Sequence, residues 1–239
     1  VWHNSADQGT EAYSISYDRA LYSNFGNMTS TLNTDPLFSD LSNNDFTLSN
    51  FSPSIGTGTL DNSPLVDING DIRPNPEGSN PDMGAFENSL GERLTGATYY
   101  VSISGSDTSN GSESSPYSTI QRALSSSWDG DTVIVLPGTY EGDVDFMGKD
   151  VVLVSKIFLT ENESYIDSTI ILGKVSISGD VDSTAIFKGF TITGDYSDRG
   201  LKIYTDHDPL IEHIKVVGVG GVEFDDANAS LYNSIISFN

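Results

Sequence analysis

The chain has 239 residues, of which 11 are Lys or Arg and 34 are Asp or Glu, and its formal net charge is −23 at pH 7. Such a surface repels the phosphates of nucleic acids and anionic membranes, so we expect neither a nucleic-acid partner nor membrane insertion. The chain has no cysteine, which excludes disulfides, thiolate catalysis and cysteine-based zinc sites. Its stability must therefore come from packing.

The first 87 residues are dense in Pro, Gly, Asn and Asp, a composition that favours loops over regular elements. Short strands are predicted only at 14–17 and 46–48. Apolar side chains are nevertheless spread through this part, which argues against disorder. They are Phe38, Leu41, Phe46, Phe51, Met83 and Phe86. We predict an ordered, loop-rich segment, followed by a linker at 88–97.

Within this segment the letters DINGDI place Asp67, Asn69 and Asp71 at alternate positions, as in the first ligands of a calcium loop. The pattern departs from such a loop at two later positions. Ile72 stands where the loop needs Gly, and Gly78 stands where a bidentate Glu would close the coordination shell. A calcium site is one interpretation, and a plain Asx turn is the other. Calcium is the one cofactor that the sequence suggests.

Beyond the linker, a short amphipathic helix is predicted from Ile120, Ala123 and Leu124, which are spaced i, i+3 and i+4. Ser118 is the predicted N-cap of this helix. A helix directly before the first strands of a repeat array would cap its open end. Strands are predicted to follow at 133–136, 144–146, 151–154, 169–172 and 175–177.

The last third of the chain contains a repeat. Aligning the segments that begin at Thr184, Asp208 and Asn228 gives offsets of 24 and 20 residues. Three columns of aligned residues result: Phe187, Ile211 and Leu231; Phe190, Ile214 and Ser234; Ile192, Val216 and Ile236. A second series repeats Leu201 and Ile203 as Val222 and Phe224, with an offset of 21. Each period therefore carries at least two short strands.

A period of this length, made of short strands, is typical of the coils of a parallel β-helix, which stack about 4.8 Å apart. Inward-pointing residues then form apolar ladders, and the residues between them face water. We predict an all-β fold: a right-handed parallel β-helix with a short N-terminal capping helix, preceded by a loop-rich segment with few strands. A leucine-rich repeat shares the period, but its Leu-x-x-Leu-x-Leu frame is missing.

Two blocks resemble known families. Residues 97–124 with 129–155 resemble the opening of pectin-lyase-like β-helix proteins that carry a domain of unknown function at their start. Residues 35–59 with 67–87 resemble the closing segment of bacterial surface β-helix proteins with choice-of-anchor domains, although SIGTGT stands in place of the usual AIDAG. The closing block comes first. We therefore expect the end of one β-helix at 1–87, a linker at 88–97, and the start of a second β-helix at 98–239.

The resemblance also implies candidate chemistry, since enzymes of this fold cleave acidic polysaccharides with Asp residues and a nearby Lys, Arg or His. The candidate catalytic residues are Asp206, Asp208, Asp225 and Asp226, with Arg199, Lys202 and His207 beside them in the sequence. The Gly-His-Gly and Arg-Ile-Lys motifs of the polygalacturonases are absent. Carboxylates at coil turns are also what a solvated bend uses. The question of enzymatic activity stays open, and we favour a non-catalytic role.

Trp128 and Tyr204 are candidates for contact with sugars, although such aromatics also pack caps and coils. Three functions follow from these observations. The first is a secreted or cell-surface scaffold for adhesion or glycan contact. The second is part of a polysaccharide lyase or glycoside hydrolase that acts on an acidic polysaccharide, and the third is a calcium-stabilised surface repeat protein. We expect an extracellular monomer whose partner is a polysaccharide or a cell-surface glycan.

Overall fold

A computed structural model describes residues 2–3, 11–16, 19–24, 35–61, 63–194, 200–218, 220–225, 227 and 229–237. The chain divides into two compact units, Val1–Leu94 and Thr95–Asn239. The division lies inside the stretch 88–97.

The described strands of the first unit pair antiparallel. In chain order its elements are β1 (Trp2–His3), β2 (Glu11–Ser16), β3 (Arg19–Asn24), β4 (Phe38–Asp40), a 3₁₀ turn (Leu41–Asn43) and β5 (Asp45–Leu48). Strand β2 lies between β1 and β3, and β4 pairs with β5. The predicted strands at 14–17 and 46–48 coincide with β2 and β5, except that Tyr17 lies outside the described residues. The assignment of 1–87 as the end of a first β-helix stays a prediction.

The rest of this unit, from 49 to 94, is made of turns and loops, as predicted. Its apolar core is small and includes Leu37, Leu48, Ile55 and Met83, all buried. The rings of Phe38 and Phe46 meet edge to face, with centroids 5.7 Å apart. The packing of apolar side chains alone therefore orders little of the stretch from 49 to 94.

The second unit is dominated by short strands. In chain order its elements are β6 (Thr98–Val101), α1 (Ile120–Ser126), β7 (Thr132–Val135), β8 (Gly138–Glu141), β9 (Val144–Asp145), β10 (Val152–Ser155), α2 (Ile157–Thr160), α3 (Ser164–Ser168), β11 (Thr169–Leu172), β12 (Val175–Ser178), β13 (Ile186–Lys188), β14 (Thr191–Thr193), β15 (Leu201–Tyr204), β16 (Leu210–Glu212), β17 (Lys215–Val217), β18 (Val222–Phe224), β19 (Ser230–Tyr232) and β20 (Ile235–Ser237).

These strands form three parallel sheets, and from β7 onward each coil contributes one strand to each sheet. The described part of the first sheet has the order β19-β16-β13-β10-β7-β6, the second β20-β17-β14-β11-β8, and the third β18-β15-β12-β9. Parallel strands joined by such crossovers wind in the right-handed sense. The unit is a right-handed parallel β-helix, which confirms the predicted fold class. Each coil has three strands, where the sequence alignment showed at least two.

The predicted residue columns stack in register. Phe187 is opposite Ile211, which is opposite Leu231 in the next coil. The same holds for Ile192, Val216 and Ile236, and for the pairs that join Leu201 and Ile203 to Val222 and Phe224. In the column of Phe190, Ile214 and Ser234, the Ile214 amide donates to the Ser234 hydroxyl over 3.2 Å. The apolar ladders of the β-helix are therefore confirmed.

Helix α1 precedes β7, and its residues Ile120, Ala123 and Leu124 are buried, as the spacing predicted. The predicted N-cap is wrong by one residue. Thr119 caps the helix, and its hydroxyl accepts a hydrogen bond from the Arg122 amide over 3.2 Å. Helix α1 begins at Ile120, so the residue directly before it is Thr119, and the hydroxyl of Ser118 donates to Asp107 Oδ1 over 2.8 Å.

The other end of α1 is closed by a lysine from the next coil. Lys149 Nζ donates to the carbonyl oxygens of Leu124 and Ser127, each over 2.7 Å. Burial lowers the pKa of Lys149 despite the nearby charges of Asp129 and Asp131. A cation at this place satisfies carbonyl groups that the helix itself leaves open.

One coil is interrupted by an excursion that the sequence analysis did not predict. Helices α2 and α3 lie between β10 and β11. They are fastened to later coils, since Thr191 Oγ1 donates to the Ile166 carbonyl and Lys215 Nζ pairs with Asp167 Oδ1, each over 2.7 Å. The excursion therefore belongs to the folded β-helix.

Candidate functional site

The outer face of the third sheet carries two of the candidate residues, Lys202 and Tyr204. Along β15, Leu201 and Ile203 are fully buried, so the residues between and after them, Lys202 and Tyr204, lie on the outer face. Lys202 is in register with Ser176 on one side and Glu223 on the other. Coil stacking therefore places polar groups in a row about 4.8 Å apart.

Tyr204 stands at the end of this row, in register with Ser178. Desolvation, followed by the influence of the Glu223 carboxylate on the next coil, raises the pKa of the Tyr204 phenol above its ordinary value. The charge of Lys202, on the same strand as Tyr204, opposes this rise.

The turn that follows β15 contains two of the catalytic candidates, Asp206 and Asp208, both exposed. His207 Nε2 lies 3.1 Å from Asp180 Oδ1 and 3.7 Å from Asp206 Oδ1. The side chains of Asp180 and Asp206 are 95% and 85% exposed. The structure brings these three side chains together, but they are exposed to solvent, which weakens the electrostatic attraction between them.

Asp225 is also exposed and directly follows β18, where its amide donates to the Ile203 carbonyl over 3.1 Å. It acts electrostatically on Tyr204. Asp226 and Arg199 lie outside the described residues. Within the parts of the chain that are described, no group of three or more His, Asp or Glu side chains is arranged to hold a metal ion.

In earlier coils, the turns before β7, β10 and β13 carry aspartates that join successive coils. Asp129 Oδ1 accepts a hydrogen bond from the Asp150 amide over 2.9 Å, and Asp150 Oδ1 accepts one from the Asp182 amide over 2.6 Å. Asp182 in turn accepts from the amide and hydroxyl of Thr184, which lowers its pKa. Desolvation raises the pKa of Asp150, and the charges of Asp182 and Asp129 add to this effect. These carboxyl groups accept hydrogen bonds from backbone amides and so order the turns.

Trp128 does not share a surface with Tyr204. It is half-buried in the turn before β7, and its amide donates to Asp131 Oδ2 over 2.8 Å. The turn after β15 precedes β16, which is three strands from β7 in the first sheet. Three coil steps amount to about 14 Å. The two aromatic candidates therefore do not form one platform.

The calcium candidates lie in the first unit, where Asp67 is buried. Asp67 Oδ1 accepts hydrogen bonds from the amides of Asn69 (2.7 Å) and Asp71 (3.0 Å), and Oδ2 accepts one from the amide of Glu87 (3.0 Å). Desolvation would raise the pKa of Asp67, but these amides and the charge of Arg73 together lower it. The geometry is that of an Asx turn. Calcium at Asp67, Asn69 and Asp71 stays a prediction.

The sequence analysis missed a set of buried charges in this unit. Arg73 Nε lies 2.7 Å from Glu87 Oε2, and their side chains are 5% and 0% exposed. Asp82 Oδ1 accepts from the Gly56 amide (2.7 Å), and Oδ2 accepts from the Asn88 amide (2.6 Å). The Asp82 amide donates to Glu87 Oε2 over 3.2 Å. Each of the two buried side chains, Arg73 and Glu87, therefore has a partner of opposite charge type.

We call Asp67, Arg73, Asp82 and Glu87 the charge latch. The sequence contained a clue to this cluster, because all four residues lie in the block 67–87 that resembles a closing segment. Charged residues that belong to one such motif are candidates for a joint structural role.

No helix among the described residues has the length and apolar character needed to cross a membrane.

Comparison with known proteins gives a partial match. Residues 103–145 match the family model described as "Protein of unknown function (DUF1565)". This stretch lies within the blocks that resemble the opening of pectin-lyase-like β-helix proteins, and it supports that part of the resemblance. The choice-of-anchor resemblance stays a prediction. No curated protein matches the chain.

Among solved structures, one named "Rhamnogalacturonan lyase" is similar to this chain at 16% identity with a TM-score of 0.37. The similarity covers 58% of this chain and 42% of the lyase chain. This chain thus spans well under half of that protein. At this level the likeness carries no argument about activity.

Proposed function

We propose that the chain is a non-catalytic, extracellular β-helix scaffold that contacts carbohydrate through the outer face of its third sheet. The single observation that supports this most is the position of Tyr204 on this face, where Glu223 of the next coil and Lys202 of the same strand act electrostatically on its phenol. An aromatic face with adjacent polar groups suits a sugar ring, which has apolar faces and hydroxyl edges.

The rigidity of the sheet supports the same proposal. Tyr204 and Glu223 belong to adjacent parallel strands whose neighbouring residues Leu201 and Ile203 are fully buried. A ligand therefore meets polar groups that are already ordered, which lowers the entropic cost of binding. The repeat of about 4.8 Å between coils also suits an extended chain ligand more than a compact one.

The positions of the acidic residues favour a non-catalytic role. Asp129, Asp150 and Asp182 each use one carboxyl oxygen to accept hydrogen bonds that join the coils or order their turns. Asp206 is 85% exposed, whereas a general acid or base is normally tuned by partial burial and a fixed partner. The net charge of −23 further favours a neutral glycan over an acidic one.

The extracellular location rests on the resemblance of 97–155 to pectin-lyase-like β-helix proteins, and we propose a monomer on the same ground.

Binding is tested by the retardation of the whole chain in native gels that contain neutral or acidic polysaccharides. We expect at least one neutral polysaccharide to retard the chain, and Tyr204→Ala to weaken the apparent affinity about tenfold, equivalent to about 1.4 kcal/mol. Tyr232→Ala is the matched control, because Tyr232 is a 55% exposed tyrosine on the last described coil. Equal behaviour of both variants and the parent chain would reject the Tyr204 surface.

The other two functions are tested separately. Release of unsaturated or reducing ends from an acidic polysaccharide by the whole chain would overturn the non-catalytic role. Thermal melts with calcium and with a chelator test the calcium-stabilised alternative, which fails when the two curves coincide.

A further inference from the structure

Strands β6, β8 and β9 are each the first described strand of one sheet of the β-helix. The outer edge of such a strand carries backbone N–H and C=O groups with which a further strand could pair. The edge of β6 is covered by the loop that follows it. The Tyr100 amide donates to the Gly111 carbonyl over 2.7 Å, and the Tyr117 amide donates to the Tyr100 carbonyl over 2.9 Å. The edge of β6 is therefore closed.

The edge of β9 is closed by a side chain of α1. Gln121 Oε1 accepts a hydrogen bond from the Asp145 amide over 2.8 Å, and Gln121 Nε2 donates to the Asp145 carbonyl over 3.2 Å. The side-chain amide of Gln121 thus occupies the place of a peptide group on a neighbouring strand.

The edge of β8 is different. The Gly142 amide, directly after β8, donates to the Leu172 carbonyl of β11 over 3.1 Å. Alternate residues of a parallel strand face the same neighbour, so Tyr140 also faces β11, whereas Thr139 and Glu141 face the opposite side. In the described part of the chain, no hydrogen bond covers the backbone of Thr139 or Glu141 on that side, and both residues are exposed. The edge of β8 is therefore open.

The charges beside this edge determine what it can accept. Glu141, Asp143 and Asp145 follow one another at alternate positions and are all exposed. Lys174 pairs with Asp143 over 3.2 Å, and acidic groups stay in excess. A second copy of β8 would bring the same acidic residues against these and be repelled, whereas a strand that carries Lys or Arg would be attracted.

We propose that the open edge of β8 is a docking site for an extended, basic peptide segment of a partner protein, which adds as a further strand beside Thr139 and Glu141. In this mode the main-chain hydrogen bonds supply affinity, and the alternating side chains supply specificity. The site is separate from the Tyr204 surface and does not depend on it.

The test is an NMR titration of the whole chain with a capped peptide of alternating Thr and Lys residues. We expect the amide signals of Thr139 and Glu141 to shift and their hydrogen exchange to slow. The amides of Tyr100 and Asp145, which lie on the closed edges, should keep their signals. Absence of shifts, or shifts confined to strands other than β8, would overturn the proposal.

A matched peptide separates strand addition from charge attraction. The same peptide with N-methylated backbone amides keeps its charge but cannot donate main-chain hydrogen bonds. We expect it to bind at least about fivefold more weakly, as the loss of one net hydrogen bond implies. Equal affinities of the two peptides would overturn the proposal.

Thr139→Pro removes an edge N–H group that does not take part in the pairing with β11. It should weaken binding of the unmethylated peptide about fivefold, and Thr139→Val should bind like the parent chain. If Thr139→Pro fails to fold, the comparison of the two peptides on the unaltered chain still decides. Pairing of two copies through β8, seen as a dimer by sedimentation with the same amides protected in the absence of peptide, would also overturn the proposal.

Discussion

The two units of this chain satisfy their backbone groups by different means. In the β-helix, each coil hydrogen-bonds to the next, and the side chains that point inward are apolar and fully buried, as in Ile171, Ile192 and Ile203. In the loop-rich unit, the segment 49–94 contains no strand among its described residues. There, the carboxyl groups of three side chains accept backbone N–H hydrogen bonds, as the carbonyl groups of a neighbouring strand do in the β-helix.

The replacement is extensive. Asp67, Asp82 and Glu87 together accept seven backbone N–H hydrogen bonds. Each would otherwise be a polar group left unsatisfied in a partly buried loop, at a cost of about 1–3 kcal/mol. Irregular chain can therefore be ordered by buried acids where a repeating apolar pattern is missing. The two units should respond to different substitutions.

The largest effect is expected from Phe187→Ala in the β-helix. Phe187 is 1% exposed, stacks on Phe190 with centroids 5.0 Å apart, and meets Phe146 at 6.0 Å. Removal of the ring leaves a cavity in the ladder and should lower the free energy of unfolding by about 4 kcal/mol. Urea denaturation followed by circular dichroism measures the change.

Phe224→Ala is its control, because Phe224 is 45% exposed on β18, the last described strand of the third sheet. We expect a loss of about 1 kcal/mol there, in proportion to the smaller buried area. Equal losses at both positions would contradict the ladder account.

The next effect is expected from Glu87→Gln in the charge latch. The substitution leaves Arg73 buried without its counter-charge, which should destabilise the loop-rich unit by about 3 kcal/mol. Amide exchange at Asn75 and Asp82, whose amides donate to Glu87, measures the change.

The double variant Arg73→Met with Glu87→Gln serves as the control, since it removes the orphaned charge and should recover part of the loss. If the amide exchange rates of Glu87→Gln at these two positions equal those of the parent chain, buried charge does not stabilise the unit.

A smaller effect is expected from Lys149→Met, which removes the cation at the end of α1. The carbonyl groups of Leu124 and Ser127 would lose their charged donor, at a cost of about 2 kcal/mol. Thermal denaturation of Lys149→Met is compared with that of Lys174→Met. Lys174 forms a surface pair with Asp143, at 3.2 Å, and should change stability by less than about 1 kcal/mol. A larger loss of stability in Lys174→Met than in Lys149→Met would show that Lys149 does not stabilise the end of α1.

The smallest effect is expected from Thr119→Ala, at about 1 kcal/mol, because it removes the N-cap of α1. Thr119→Ser keeps the hydroxyl and should keep most of the stability. Denaturation midpoints distinguish the two, and equal midpoints would show that the hydroxyl does not cap the helix.

The β-helix was predictable because its pattern is short and repeats. Offsets of 24, 20 and 21 residues sufficed to place Phe187 over Ile211 and Leu201 beside Val222. The same alignment also places Lys202 beside Glu223, as the structure does.

The remaining features depend on contacts between distant residues. Asp67 fits the spacing of a calcium ligand, and nothing local shows that the amide of Glu87 takes one of its oxygens. Helices α2 and α3 are too short to produce a periodic signal, and α3 is fastened by Lys215, which is 48 residues from its partner Asp167. The N-cap was misplaced by one residue because Ser118 and Thr119 both carry a hydroxyl, and the sequence does not show that the helix begins at Ile120.

The most direct test of the contrast between apolar ladder and charge latch is residue-resolved amide exchange of the parent chain, Phe187→Ala and Glu87→Gln. In Phe187→Ala, the strand amides of the neighbouring coils should lose protection. In Glu87→Gln, the amides of Asn75 and Asp82 should lose protection. If the latch amides of Glu87→Gln stay as protected as in the parent chain, the loops are held by something other than buried charge, and the contrast fails.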